Sequence, residues 1–194
     1  MRNAWLSVVL LLVATPVLAQ DQAPPPVPRF DVYVGPVAAR TLGDSTQNLG
    51  PWVQGGGLML SFGWNFTRAL ALVVDDVRFG VESSAYYGRH VNYSILAGPR
   101  VRFNTSSRLN PFGQMLVGAS QGAVQATPAG PVGWQTLAQI GVGGGLDLRM
   151  NNRLSLRLAQ LDIRHVFGNP GAYSGMSFSA GVVIRFGARV DGGK

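Results

Sequence analysis

The sequence predicts an all-β chain: an eight-stranded, antiparallel, up-and-down transmembrane β-barrel. Three observations carry that prediction. Hydrophobicity in the region after residue 28 repeats with a period of two, the mark of strands and not helices. Charged residues make up 13% and hydrophobic ones 46% of the chain, whereas a soluble protein carries about 25% charged residues. The links between periodic segments alternate between short and long, as in a membrane barrel whose two ends differ. Glycine, at 26 of 194 positions, argues against helices, because each interior glycine costs roughly 1 kcal/mol relative to alanine.

The chain opens with Met1-Arg2-Asn3, a short basic segment, followed by a nearly continuous apolar run from Ala4 to Ala14. Thr15-Pro16-Val17-Leu18-Ala19 then has the small-residue ending of a signal peptidase site, so residues 1–19 read as a secretory signal peptide cleaved after Ala19 or Gln20. The run falls short of the roughly 20 residues that an anchor helix needs, and Pro16 interrupts it. Residues 20–28, with proline at 24, 25, 26 and 28, form an extended leader. The barrel is expected over 29–186, with 187–194 as a tail.

Eight alternating segments follow, near 30–40, 52–66, 70–81, 91–103, 109–122, 135–149, 154–165 and 175–186. In 58–66, Leu58, Leu60, Phe62, Trp64 and Phe66 oppose Met59, Ser61, Gly63 and Asn65. In 139–149, Ile140, Val142, Leu146 and Leu148 oppose Gln139, Gly141, Gly143, Gly145, Asp147 and Arg149. Two segments slip phase. Leu72 and Val74 give way to Val77 and Phe79, and Leu154, Leu156 and Leu158 give way to Leu161 and Ile163. One extra residue in a strand flips the facing beyond it, so each slip predicts a β-bulge. Short turns fall at 66–69, 104–108 and 150–153, and longer loops at 41–51, 82–90 (with His90), 123–134 and 166–174. Both termini then lie at the short-turn end, the periplasmic one.

A soluble barrel alternates too, with its apolar face inward, but its outer face must be richly charged. Here the polar face is mostly Gly, Ser, Gln and Asn, small residues suited to the crowded inside of a narrow barrel. The apolar face therefore points to lipid. Aromatics support this by gathering at strand ends: Phe30, Trp64, Phe66, Phe103, Phe112 and Phe186 near the short turns, and Trp52, Phe79, Tyr93, Trp134 and Phe167 near the long loops. Two aromatic belts are what the two membrane interfaces require.

Over residues 28–186 the chain resembles the small outer-membrane β-barrel family, of the kind that forms the transmembrane domain of OmpA-type proteins. The resemblance rests on Phe30-Asp31-Val32-Tyr33-Val34-Gly35, Pro111-Phe112-Gly113-Gln114, Gly143-Gly144-Gly145-Leu146-Asp147, Gln160-Leu161-Asp162 and the Phe178 to Phe186 strand. It implies residence in the outer membrane of a diderm bacterium, among lipid and lipopolysaccharide, and insertion by the barrel-assembly machinery. Phe178 and Phe186 would supply the insertion signal, although Gly187 to Lys194 follow it where family members usually end. A peptidoglycan-binding domain is not part of the resemblance.

The net charge of +7 comes from arginines scattered singly, with one lysine, Lys194. Without a basic run or an aromatic-basic motif, nucleic acid is not an expected partner. Gly118-Ala119-Ser120-Gln121-Gly122 matches a nucleophile elbow, and Asp147 or Asp162 and then His165 follow in hydrolase order. The elbow needs a helix after the serine, and Pro128, Gly130 and Pro131 oppose one. Gly141 to Leu146 lacks the third glycine of a dinucleotide fingerprint. Lipid A deacylases pair a late-strand His with a Ser two residues on, but Val166 and Phe167 follow His165. No enzyme, cofactor or metal is expected. The remaining constellation is internal charge. Parity directs Asp31, Arg100, Arg102, Asp147, Arg149, Arg157, Asp162 and Arg185 inward, with Asp75 or Asp76 and Arg78 beside a bulge. Buried charges are costly unless paired, so acids and arginines should join across the lumen into a plug. The role is then structural or interactive, the rivals being a soluble periplasmic barrel for an apolar ligand or a lipid-modifying enzyme.

Overall fold

Alternating side chains leave a strand with one oily and one small or polar face, and a row of such strands can satisfy all its backbone groups only by closing. The computed structural model shows that closure. It describes residues 27–42, 54–84, 88–125, 132–168 and 172–190, with strand placement alone at 41, 54, 75–84, 88–92, 123–125, 132–134, 173 and 189–190. The strands are β1 (Val27–Leu42), β2 (Gln54–Asn65), β3 (Leu70–Ser84), β4 (Gly88–Arg102), β5 (Leu109–Gln125), β6 (Val132–Arg149), β7 (Leu154–Phe167) and β8 (Tyr173–Val190). Each pairs antiparallel with the next, and β8 pairs with β1, Asp31 opposite Arg185 and Val34 opposite Val182.

Both predicted bulges are present. Between β2 and β3 the register shifts at Leu60/Ser61, which face Val77 and Asp75. Between β7 and β8 it shifts between Arg157 and Gln160, which face Gly181 and Ser179. Ser155 and Arg157 are buried before the second bulge, and Gln160, Asp162 and Arg164 after it. The extra residue keeps one polar face inward along the whole strand.

The predicted strand limits need correction. The leader was expected to end at 28 and the tail to begin at 187, yet Val27 pairs with Val190 and Pro28 with Arg189, with a register shift before Phe30. His90 lies in β4 opposite Glu82, not in a loop. Membrane crossing needs only about 9–11 residues per strand, whereas β6 and β8 have 18 each. The ladder continues past the apolar band wherever a neighbour offers hydrogen bonds, and polar or glycine residues there do not stop it. The signal cleavage positions Ala19 and Gln20, and Trp52, lie outside the described residues.

The outward face is apolar around the wall. Phe62, Trp64, Leu72, Val74, Ile95, Val101, Met115, Val117, Ile140, Val142, Leu161, Ile163, Phe178, Ile184 and Phe186 are all exposed, Met115 at 66% and Val117 at 64%. Phe30 packs against Phe62 and Phe186 with ring centroids 5.8 Å apart in each case, and Trp64 meets Phe66 at 4.9 Å. These rings cluster at the short-turn end of β8, β1 and β2. Phe167, 45% exposed, sits at the far end of β7.

Candidate functional site

The lumen is where this chain concentrates charge. Asp31, Arg100, Arg102, Asp147, Arg157, Asp162, Arg164 and Arg185 are all buried there, none more than 5% exposed. Near the short turns, the carboxylate of Asp31 on β1 accepts a hydrogen bond from Arg102 NH2 on β4 at 2.8 Å and one from Asn65 Nδ2 on β2 at 3.1 Å. Arg102 NH1 also donates to Asn65 Oδ1 at 2.6 Å, and Asn65 Nδ2 to the Pro28 carbonyl at 2.8 Å. Because β1 and β4 are not neighbours, this contact crosses the lumen.

A second set continues along the axis. Arg100 NH1 lies 3.9 Å from Asp31 Oδ1, while Arg100 Nε and NH2 both donate to Gln114 Oε1, at 2.9 and 2.7 Å. Gln114 Nε2 donates to Asp162 Oδ1 at 2.9 Å, and Gln160 Nε2 to Asp162 Oδ2 at 2.8 Å. Arg157 NH1 donates to Gln160 Oε1 at 2.6 Å, and its Nε and NH2 grip both oxygens of Asp147, at 2.8 and 3.2 Å. Arg164 NH2 approaches Asp162 Oδ2 at 3.8 Å. The result is an unbroken run of polar contacts from Asp31 to Asp147 through two glutamines. Charge-assisted bonds of this kind are about twice as strong as neutral ones, and they offset the cost of holding ions away from water.

Aromatic rings fill the gaps. Arg100 lies over the Phe112 ring at 4.7 Å, and Arg157 over Phe112 and Tyr33 at 4.4 Å each. Phe112, expected in the outer belt, is instead 3% exposed within the lumen. It shares the face of Gln114, and two guanidinium groups attract its ring. Room is made by glycine. A Cβ on Gly145 would lie 2.7 Å from Phe112 Cζ, and one on Gly143 would strike the Asp162 carboxylate.

Of the other expected members, Arg149 is only half-buried, at the short-turn end of β6. Asp75, Asp76 and Arg78 belong to β3, but their side chains lie outside the described residues. Arg164, Gln114, Gln160 and Asn65 are not among the network residues expected from the sequence. Parity would have placed Arg164 and Gln160 inward after the β7 bulge, and Gln114 and Asn65 on the polar faces of β5 and β2.

The residues of the hydrolase pattern do not come together. Ser120 is buried within β5, whereas His165 follows outward-facing Ile163 on β7 and pairs through Nδ1 with Ser174 Oγ at 3.0 Å. β5 runs on past the serine as strand to Gln125. Asp147 and Asp162 already accept the bonds described above. Among the described residues no group of His, Asp and Glu is placed to hold a metal.

An eight-stranded barrel, closed edge to edge, apolar outside and ionic within, can be set against solved structures. Neisserial surface protein A superposes with a TM-score of 0.65 at 20% identity, over 81% of this chain and 97% of that one. Ail, the attachment invasion locus protein of Yersinia pestis, solved with the heparin analogue sucrose octasulfate, gives 0.54 at 14%, covering 82% and 99%. The fold is that of the small outer-membrane β-barrels. OprG of Pseudomonas aeruginosa shares it, with a TM-score of 0.52 at 10% identity over 84% of this chain and 98% of that one. No protein-family model and no curated protein matches the chain.

Proposed function

We propose that the chain is an outer-membrane barrel whose lumen is plugged by its own side chains and whose role is structural or interactive, not catalytic or porous. The observation that carries this is the pairing of an apolar wall with an ionic interior: Ile140, Val142 and Ile184 are exposed while Arg100, Arg157 and Asp162 are buried. Such a wall would aggregate in water, and lipid is its matching solvent. Surrounding lipid and lipopolysaccharide are then its first partners. Phe178 and Phe186, 50% and 46% exposed on β8, would be presented to the assembly machinery during insertion. The soluble alternative asks for an apolar lumen to hold an apolar ligand. The lumen described above is lined instead by guanidinium, carboxylate and amide groups, which an apolar ligand could not satisfy.

Planar-bilayer recording tests the plug. Purified wild-type protein is expected to give no large, steady conductance, and long-lived channels would refute it. Fractionation tests the location: the chain should stay with the outer membrane and migrate differently on gels before and after boiling. Recovery in the soluble periplasmic fraction would reject the reading.

A further inference from the structure

The arginines at the short-turn mouth outnumber their acids. β4, β6 and β8 all descend towards the short turns, and each presents an arginine near its end: Arg102, Arg149 and Arg185. They occupy equivalent rungs. The backbone N–H of Arg102 donates to the Ala69 carbonyl at 2.8 Å, that of Arg149 to Arg108 at 2.7 Å, and that of Arg185 to Arg153 at 2.7 Å. Each acceptor immediately precedes β3, β5 or β7.

Two acids serve this end among the described side chains, and both are engaged. Asp31 accepts from Arg102 and Asn65, and Asp147 is gripped by Arg157. Among the described side chains neither Arg149 nor Arg185 makes a hydrogen bond or a contact within salt-bridge distance; Asp147 and Asp31 attract Arg185 from farther off, while Arg102 and Arg149 repel it. Arg185 is 5% exposed, and its Nε, like that of Arg102, is buried without an acceptor. A buried cation whose neighbouring acids are already engaged by other arginines is unfavourable, so the mouth is suited to receive an anion. β7 alone separates β6 from β8, and Arg149 and Arg185 lie near enough to repel one another. Arg108, exposed on its turn, adds positive potential at the approach. Two neighbouring positive charges and the forked geometry of guanidinium suit a doubly charged phosphate better than a single carboxylate.

We propose that Arg149 and Arg185, with Arg102 beside them, form a phosphate-binding site in the short-turn mouth of the lumen. The phosphate can come from solution or from a phosphomonoester lipid headgroup in the leaflet around that mouth.

The test is calorimetric titration of inorganic phosphate into the full barrel in phosphatidylcholine nanodiscs, each variant first shown to be folded by its heat-modifiable migration. Wild type should bind saturably. Arg185→Gln should weaken binding by about tenfold or more, while Arg153→Gln, on the exposed turn, should change it by less than about threefold. Phosphate should raise the unfolding midpoint of wild type, and that of Arg185→Gln less at the same phosphate concentration. If Arg185→Gln does not fold, the half-exposed Arg149→Gln replaces it with the same expected loss. Wild type without saturable binding, or folded variants at both positions that bind as wild type does, would overturn the proposal. With phosphatidic acid in the disc, competition against inorganic phosphate would assign the site to a lipid headgroup, and unchanged binding would assign it to soluble phosphate.

Discussion

Asp147 shows most clearly what a single lumen residue does. Both its oxygens accept from Arg157, whose guanidinium also lies over Tyr33 and Phe112. Asp147→Asn leaves that cation without its counter-charge and should cost about 3–5 kcal/mol of folding stability, read by urea titration in lipid vesicles. A loss under about 1 kcal/mol would show that the pair is solvated. Gly143 tests packing in place of charge. A Cβ there meets the Asp162 carboxylate and lies 2.6 Å from the Leu161 carbonyl, whereas one on Gly56 lies 3.8 Å from its nearest neighbour, the Val37 carbonyl. Gly143→Ala should therefore destabilise by about 1–3 kcal/mol and Gly56→Ala by much less. Much of this residue scale was legible, because a period of two assigns facing by parity alone. Asp31, Arg100 and Asp147 needed nothing more, and Asp162 needed only the β7 bulge. What parity could not supply was partners: Gln114 and Gln160 join the acids to the arginines through distances between strands remote in sequence. Phe112 was misplaced because a ring reads as membrane belt unless the guanidinium groups above it are known.

At the scale of the element, the bulges are the informative feature. A phase slip in β7 was visible as a change from even to odd leucines, and the register shift between Arg157 and Gln160 is its physical form. Deleting Ala159 should remove the extra residue while leaving every side chain facing as before, since Gln160 would then continue the alternation of Ser155 and Arg157. The deleted protein should still fold to a heat-modifiable barrel. Deleting Val182 from β8, where Arg157 and Leu154 pair on one register, should flip the facing on one side and prevent folding. Equal behaviour of the two deletions would contradict the bulge account. Strand ends were the least legible part. Gly, Pro and Asn signal loops in a soluble protein, but here paired neighbours hold them in the ladder, as Pro28 with Arg189 and Gly80 with Asn92.

The whole molecule rests on a reversal: oily side chains outside, ions within. Val142, 54% exposed on β6, lies well inside the apolar band, so Val142→Arg should cost about 2–4 kcal/mol in vesicle unfolding, and an arginine at Phe103, on a short turn, about 0–1 kcal/mol. The most direct measurement uses the absence of cysteine from the chain, which allows single spin labels without background. Labels placed in turn at Gln139, Ile140, Val142, Asp162, Ile163, Ser177 and Ile184 in reconstituted protein would be read by power saturation with oxygen, which enriches in lipid, and with a water-soluble nickel chelate. Ile140, Val142, Ile163 and Ile184 should be open to oxygen, and Gln139, Asp162 and Ser177 closed to it. The opposite alternation, or nickel access at the isoleucines, would contradict the account.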